Sequence, residues 1–188
     1  MVTLKSLTKF KGAFKTHPYL KISMLLFLFI IMITGFLTML TGKIFFKNTS
    51  TSAPMGIYMA SLDQSLHYGD YVAVALPVDV PNLNVEAGFP MIKKIQGFAD
   101  DRYTVKNNSI KIYGREYKIY RDKALPEMIP GNYIVPKNSI LFLNDPDISF
   151  DSRYLGPIPT KYILKKVTLI IPFEPINALL KRMYYHED

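Results

Sequence analysis

Hydroxyl side chains crowd the segment Asn48-Thr49-Ser50-Thr51-Ser52-Ala53-Pro54-Met55-Gly56-Ile57-Tyr58, which opens eight residues after an uncharged apolar run at 22–40. A hydroxyl held just outside a membrane is where a membrane-bound acyl-transfer enzyme needs its nucleophile, and a serine attacks a carbonyl only when a neighbouring base takes its proton. The same segment equally reads as a Ser/Thr-rich linker that follows an anchor and does no chemistry. Which reading holds turns on whether the chain supplies a base.

The choice of base is narrow. The sequence has no cysteine, which removes thiol chemistry and cysteine-ligated metal. Its three histidines are His17, His67 and His186. His17 precedes the apolar run and His186 is third from the end, so a Ser-His-Asp arrangement would rest on His67 alone. His67 stands before Tyr68-Gly69-Asp70 at a strand entrance, the setting of a solvated turn histidine. Three dispersed histidines also make no zinc set, so no metal or other cofactor is expected. Lysine remains, and it must be neutral to accept a proton. Its ordinary pKa of about 10.4 has to fall by roughly 3 units, about 4 kcal/mol, for work near neutral pH. Burial among apolar side chains supplies such a shift. Lys93 and Lys94 interrupt the apolar stretch Met91-Ile92-Lys93-Lys94-Ile95. Strand alternation puts Lys93 with Met91 and Ile95 and Lys94 with Ile92 and Gln96, which makes Lys93 the better candidate for burial. On the strand pattern alone such a lysine reads as a snorkelling surface residue.

The elements that must position these residues follow from charge and periodicity. The run at 22–40 carries no charge and, at about 1.5 Å per residue, nearly matches a hydrocarbon core of about 30 Å. Five lysines precede it, which places the N-terminus in the cytoplasm and the rest of the chain outside. A cleaved signal peptide is the competing reading, but the run is long for its apolar region and Leu40-Thr41-Gly42 lacks a small residue three positions before a cut. The predicted organisation is a basic cytoplasmic segment at 1–21, a transmembrane anchor at 22–40 and an exported domain at 44–188. The net charge of +8 does not indicate nucleic acid. Seven lysines and no acidic residue fall within 1–47, and the remaining 16 basic and 15 acidic residues nearly cancel. Beyond the anchor the pattern is mainly β. Strands are predicted at 71–76, 91–95, 103–105, 110–113, 134–136 and 139–143, with a hairpin turn at Asn107-Asn108, and a further strand turns at Gly114 and runs through 117–120. A short amphipathic helix is expected at 176–185, and 79–90 reads as a loop. The apolar stretches Ile44-Phe45-Phe46 and Ile170-Ile171-Pro172-Phe173 fit either a bilayer-facing surface or a buried core.

Three blocks, in order, resemble the signal peptidase I superfamily of serine-lysine endopeptidases. Ser52-Ala53-Pro54-Met55-Gly56-Ile57-Tyr58 followed by Gly69-Asp70-Tyr71-Val72 resembles the nucleophile box and the Gly-Asp strand behind it. Lys93-Lys94-Ile95-Gln96-Gly97-Phe98-Ala99-Asp100-Asp101 is similar to the base box K-R-x-x-G-x-x-G-D. The segment from Asn144-Asp145 through Ser149-Phe150-Asp151-Ser152-Arg153-Tyr154-Leu155-Gly156 looks like the box ending in S-x-D-S-R-Y-x-G, the most specific of the three. The chain departs from the pattern where Lys94 replaces Arg and where Asp100 and Asn144 replace Gly.

The resemblance implies a signal-peptidase-like β-sheet domain on a single N-terminal transmembrane helix. It implies Ser52 as nucleophile and Lys93 as general base. The N–H of Ser52 and the hydroxyl of Ser50 would form the oxyanion hole, Ser149 would orient Lys93, and Asp151 and Arg153 would pair to hold the wall of the site. S-x-P-x-G-I-Y after Asn48-Thr49 is closer to the TraF type of conjugative-transfer peptidase than to the S-M-x-P of housekeeping enzymes. A TraF-type reading implies a pilin precursor as substrate, cleaved or cyclised in the periplasm beside the lipid of the inner membrane and conjugative type IV secretion components. The alternatives are a housekeeping or accessory signal peptidase acting on exported preproteins, and a non-catalytic assembly domain of a secretion channel.

Overall fold

The computed structural model describes residues 18–42, 44–121 and 125–175. The predicted helix at 176–185 lies outside them. The chain divides into two units, Met1–Ile44 and Phe45–Asp188. The first contributes one helix, α1 (Pro18–Thr41). Its opening proline has the fixed φ that a first helical turn accepts. Within it Pro18–Leu37 is long and apolar enough to cross a membrane, by length and composition.

The second unit is mainly β, as predicted. Its larger sheet has seven strands: β1 (Phe45–Asn48), β2 (Gly56–Ala60), β3 (Tyr71–Ala75), β4 (Pro90–Gly97), β9 (Ser139–Phe142), β10 (Ile158–Pro159) and β11 (Ile163–Pro172). Their order is β1-β2-β11-β3-β4-β9-β10, with antiparallel neighbours throughout. A smaller antiparallel sheet of order β7-β6-β5-β8 comprises β5 (Arg102–Lys106), β6 (Ser109–Ile112), β7 (Arg115–Lys118) and β8 (Gly131–Ile134). The short helix α2 (Ser152–Leu155) follows β9.

Burial explains why β3 reads as an unbroken apolar run rather than an alternating one. Val72 and Val74 belong to one buried cluster with Ile95, Ile140, Phe142 and Ile158. Ala73, on the opposite face, belongs to another with Phe46, Ala53, Tyr58, Ile92 and Val167. A strand covered on both faces has no polar side to show. The small sheet closes a third cluster, in which Tyr103, Val105, Ile110 and Ile112 pack with Leu141, Leu143 and Tyr154.

Most predicted strands fall within one or two residues of their places, and two depart further. The strand expected to turn at Gly114 and run through 117–120 does turn there, at Tyr113 and Gly114 (φ +49° and +75°), but ends at Lys118. The strand expected at 134–136 ends at Ile134. Strands β1, β2, β10 and β11 were not predicted. Glycine at position 56 is enforced by β11, since a Cβ there would lie 2.3 Å from the carbonyl oxygen of Ile171.

Candidate active site

The loop at 49–55 joins β1 to β2 and carries Ser52. Buried Asn48 builds it from inside. Its Nδ2 donates to the carbonyls of Ser50 (3.0 Å), Ala53 (3.0 Å) and Pro54 (3.1 Å), and its Oδ1 accepts from the N–H of Ser50 (3.2 Å). Tyr58 adds a hydroxyl donation to the carbonyl of Pro54 at 2.8 Å. Held in this way, Ser50 and Ser52 face one another. Ser50 Oγ donates to Ser52 Oγ at 2.9 Å, and the N–H of Ser52 donates to Ser50 Oγ at 3.2 Å. Both groups expected to stabilise an oxyanion are therefore engaged with each other. Replacing Asn48 with alanine leaves the buried Ala53 carbonyl without its side-chain donor, so we expect a loss of about 1–3 kcal/mol, measured by denaturant unfolding.

On β4, Lys93 is buried at 3 % exposure. Its Nζ donates to Ser149 Oγ at 3.4 Å. Removal from water pushes its pKa down to about 8; the Asp151 carboxylate opposes the shift and the Arg153 guanidinium adds to it. Met91 and Ile95 share a buried cluster while Ile92 belongs to the opposite one, in keeping with the alternation that set Lys93 apart from Lys94. Lys94 instead reaches Asp145 at 2.6 Å.

The loop between β9 and α2 is held by Asp151 and Arg153, whose side chains are fully buried. Asp151 caps α2 by accepting from the N–H of Arg153 at 3.0 Å, and its other oxygen accepts from the N–H of Asn144 at 3.1 Å. Arg153 Nε lies 3.2 Å from Asp151 Oδ1, an ion pair without hydrogen-bond alignment. The rest of the guanidinium donates to the carbonyls of Lys118 (3.3 Å), Pro146 (2.9 Å), Asp147 (2.7 Å) and Asn144. The two glycine replacements fit their places. Asp100 sits at φ +71°, in the left-handed region where a short polar side chain is tolerated. Asn144, 1 % exposed, ties the loop to β4: it accepts from the N–H of Lys94 at 2.7 Å and donates to the carbonyl of Ile92 at 3.2 Å.

The structure thus brings Ser50 to Ser52, and Lys93 to Ser149, Asp151 and Arg153. Among the described residues no hydrogen bond joins Ser52 to Lys93. Their strands are separated in the sheet by β11 and β3. Ala53, next to Ser52, shares a buried cluster with Ile92, which lies on the face of β4 opposite Lys93. His67 is an exposed turn residue 3.4 Å from Asp70. Sequence reasoning missed the architectural roles of Asn48, Asn144 and Ser152; the last accepts from the N–H of Phe142 at 2.9 Å. All three lie in or beside the motifs, but only the folded chain shows what they bond.

Comparison with curated proteins gave no match. Among solved structures, a signal peptidase I from Enterococcus faecalis V583 aligns at 16 % identity over 57 % of this chain and all of its own, with a TM-score of 0.36. The family model described as "Signal peptidase, peptidase S26" matches residues 17–172. The chain belongs to that family, the signal peptidases of serine endopeptidase type.

Proposed function

We propose that this protein is a membrane-anchored serine-lysine endopeptidase of the TraF type that processes a conjugative pilin precursor. The observation that carries the serine-lysine part is Lys93. A fully enclosed ammonium whose pKa falls to about 8, placed on Ser149, suits a base that must be neutral near physiological pH. The S-x-P-x-G-I-Y form of the Ser52 segment supports the TraF assignment.

In this reading residues 1–21 are cytoplasmic, 22–40 span the inner membrane and 44–188 form the periplasmic catalytic domain. Exposed Phe45, Met59, Ile170 and Ile171 would rest on the bilayer and bring a membrane-emerging substrate to Ser52. Ser52 Oγ attacks the substrate carbonyl as its proton passes to Lys93. The N–H of Ser52 and the hydroxyl of Ser50 exchange their mutual hydrogen bond for the oxyanion. The C–N bond then breaks, Lys93 returns the proton to the departing amine, and the acyl-enzyme is resolved by water or by the pilin's own N-terminal amine. Ser52 and Lys93 must close on each other when substrate binds, as catalytic hydrogen bonds often tighten only in the complex.

Intact-mass spectrometry of pilin, in cells carrying the wild type, Ser52→Ala or Lys93→Ala, tests the reading. The expected result is mature pilin with the wild type alone. A product lighter than the linear mature chain by one water would mark cyclisation. Normal maturation with either variant would overturn the serine-lysine assignment. A wild type that ignores pilin but cuts exported preproteins would replace the TraF reading with the housekeeping one.

A further inference from the structure

The face of β4 that carries Lys94 and Gln96, opposite the face of Lys93, opens onto a cavity of about 570 Å³. Tyr68, Lys94, Gln96, Ile112, Tyr113 and Arg115 line it, with no acidic residue among them. Gln96 is nine-tenths buried, and its Nε2 is a donor with no hydrogen-bond partner among the described residues. Buried amides are ordinarily satisfied, so such a group asks for a partner that the protein does not supply. Arg115 is exposed and forms no ion pair among the described residues.

The aromatic wall is built in advance. Tyr68 meets Tyr113 edge-on at 5.9 Å and Phe98 at 4.7 Å. Tyr113 is held at φ +49°, a conformation a bulky side chain rarely adopts. It is anchored there by donating its hydroxyl to Asp101. Asp101 also accepts from the hydroxyl of Tyr68 at 2.9 Å and the N–H of Phe98 at 2.6 Å, so the nearest carboxylate to this wall is taken up by three donors. Two cations, an unsatisfied amide and a fixed aromatic wall line one space of small-molecule size.

We propose that this cavity is a second binding site, for an organic anion made of a carboxylate on a flat apolar body. The carboxylate lies between the Arg115 fork and the Lys94 ammonium, and its body packs against the Tyr68 and Tyr113 wall. Lys94 is shared with Asp145, so the ligand and that carboxylate compete for one ammonium.

The test is direct binding to the full chain in detergent micelles, read by ligand-detected NMR, with benzoate as probe and benzamide as its neutral counterpart. Benzoate is expected to bind at least about tenfold more tightly than benzamide, as a charge-assisted contact requires. Arg115→Gln should weaken benzoate about tenfold and leave peptidase activity unchanged. Asp145→Asn, which frees Lys94 from a surface pair, should tighten it up to about fivefold. The opposite signs of the two variants separate a bound carboxylate from general charge attraction. Equal affinity for benzamide, benzoate binding that survives Arg115→Gln, or no saturable benzoate binding would each overturn the assignment.

Discussion

Lys93→Met is expected to abolish processing, by about 10³-fold or more in kcat/KM, and to make the protein more stable at pH 7. Both effects come from one buried ammonium. In the unfolded chain the lysine keeps its ordinary pKa of 10.5, whereas burial lowers it to about 8 in the native state. Below about pH 8 both states hold the proton, and the native state bears the whole unfavourable term of enclosing a charge. Between about 8 and 10.5 the unfolded state binds more protons, so stability rises with pH across that window. The shift amounts to about 3 kcal/mol. Methionine fills the same space without charge, so thermal unfolding at pH 7 should move upward by several degrees and lose its rise between pH 8 and 10.5. In the wild type kcat/KM should climb as pH passes through about 8, where Lys93 becomes a competent base. A flat profile there, or a Lys93→Met protein that melts lower than the wild type, would count against a depressed lysine at the centre of the site.

Arg153→Met should be the most destabilising single change in the catalytic unit, by about 3–5 kcal/mol. It leaves Asp151 as an unpaired buried carboxylate and strips the donors from the carbonyls of Lys118, Asn144, Pro146 and Asp147. Arg153→Lys restores the charge but not the planar fork, and should recover less than half of the loss. The methionine variant carries a second signature. Arg153 contributes to lowering the Lys93 pKa while Asp151 opposes it, so removing the guanidinium moves the activity profile to higher pH. Urea denaturation of the two variants measures the first effect and kcat/KM against pH the second. Loss of less than about 1 kcal/mol in both would reduce the pair to an ordinary surface interaction.

These outcomes trace back to features that differed in how plainly the sequence showed them. Strands β3, β4, β5, β6 and β9 were legible because each is a local apolar or alternating run with turn residues at its ends. The placement of Lys93 was legible because a period of two assigns adjacent lysines to opposite faces, whatever the fold. Strand β11 was not legible. Lys165 and Lys166 interrupt its apolar pattern, and both partner strands lie some hundred residues earlier in the chain. Its end had been read only as an apolar stretch for membrane or core; in the structure Ile170 and Ile171 are exposed while Phe46, from the other stretch, is buried. The work of Asn48 and Asn144 was hidden for a different reason. Each bonds to main-chain groups, and backbone partners leave no trace in residue types.

The position of β11 also sets an order of events during synthesis. It lies between β2, which follows the Ser52 loop, and β3, the neighbour of the Lys93 strand, so those two halves share no backbone hydrogen bonds until residues 163–172 insert. Contacts this distant in sequence close late. A ribosome-bound chain that has made both Ser52 and Lys93 therefore still holds them in separate pieces. On the proposed serine-lysine reading the chain would be its own zymogen for as long as it is being translated, competent to cut only after the strand between the two residues has arrived.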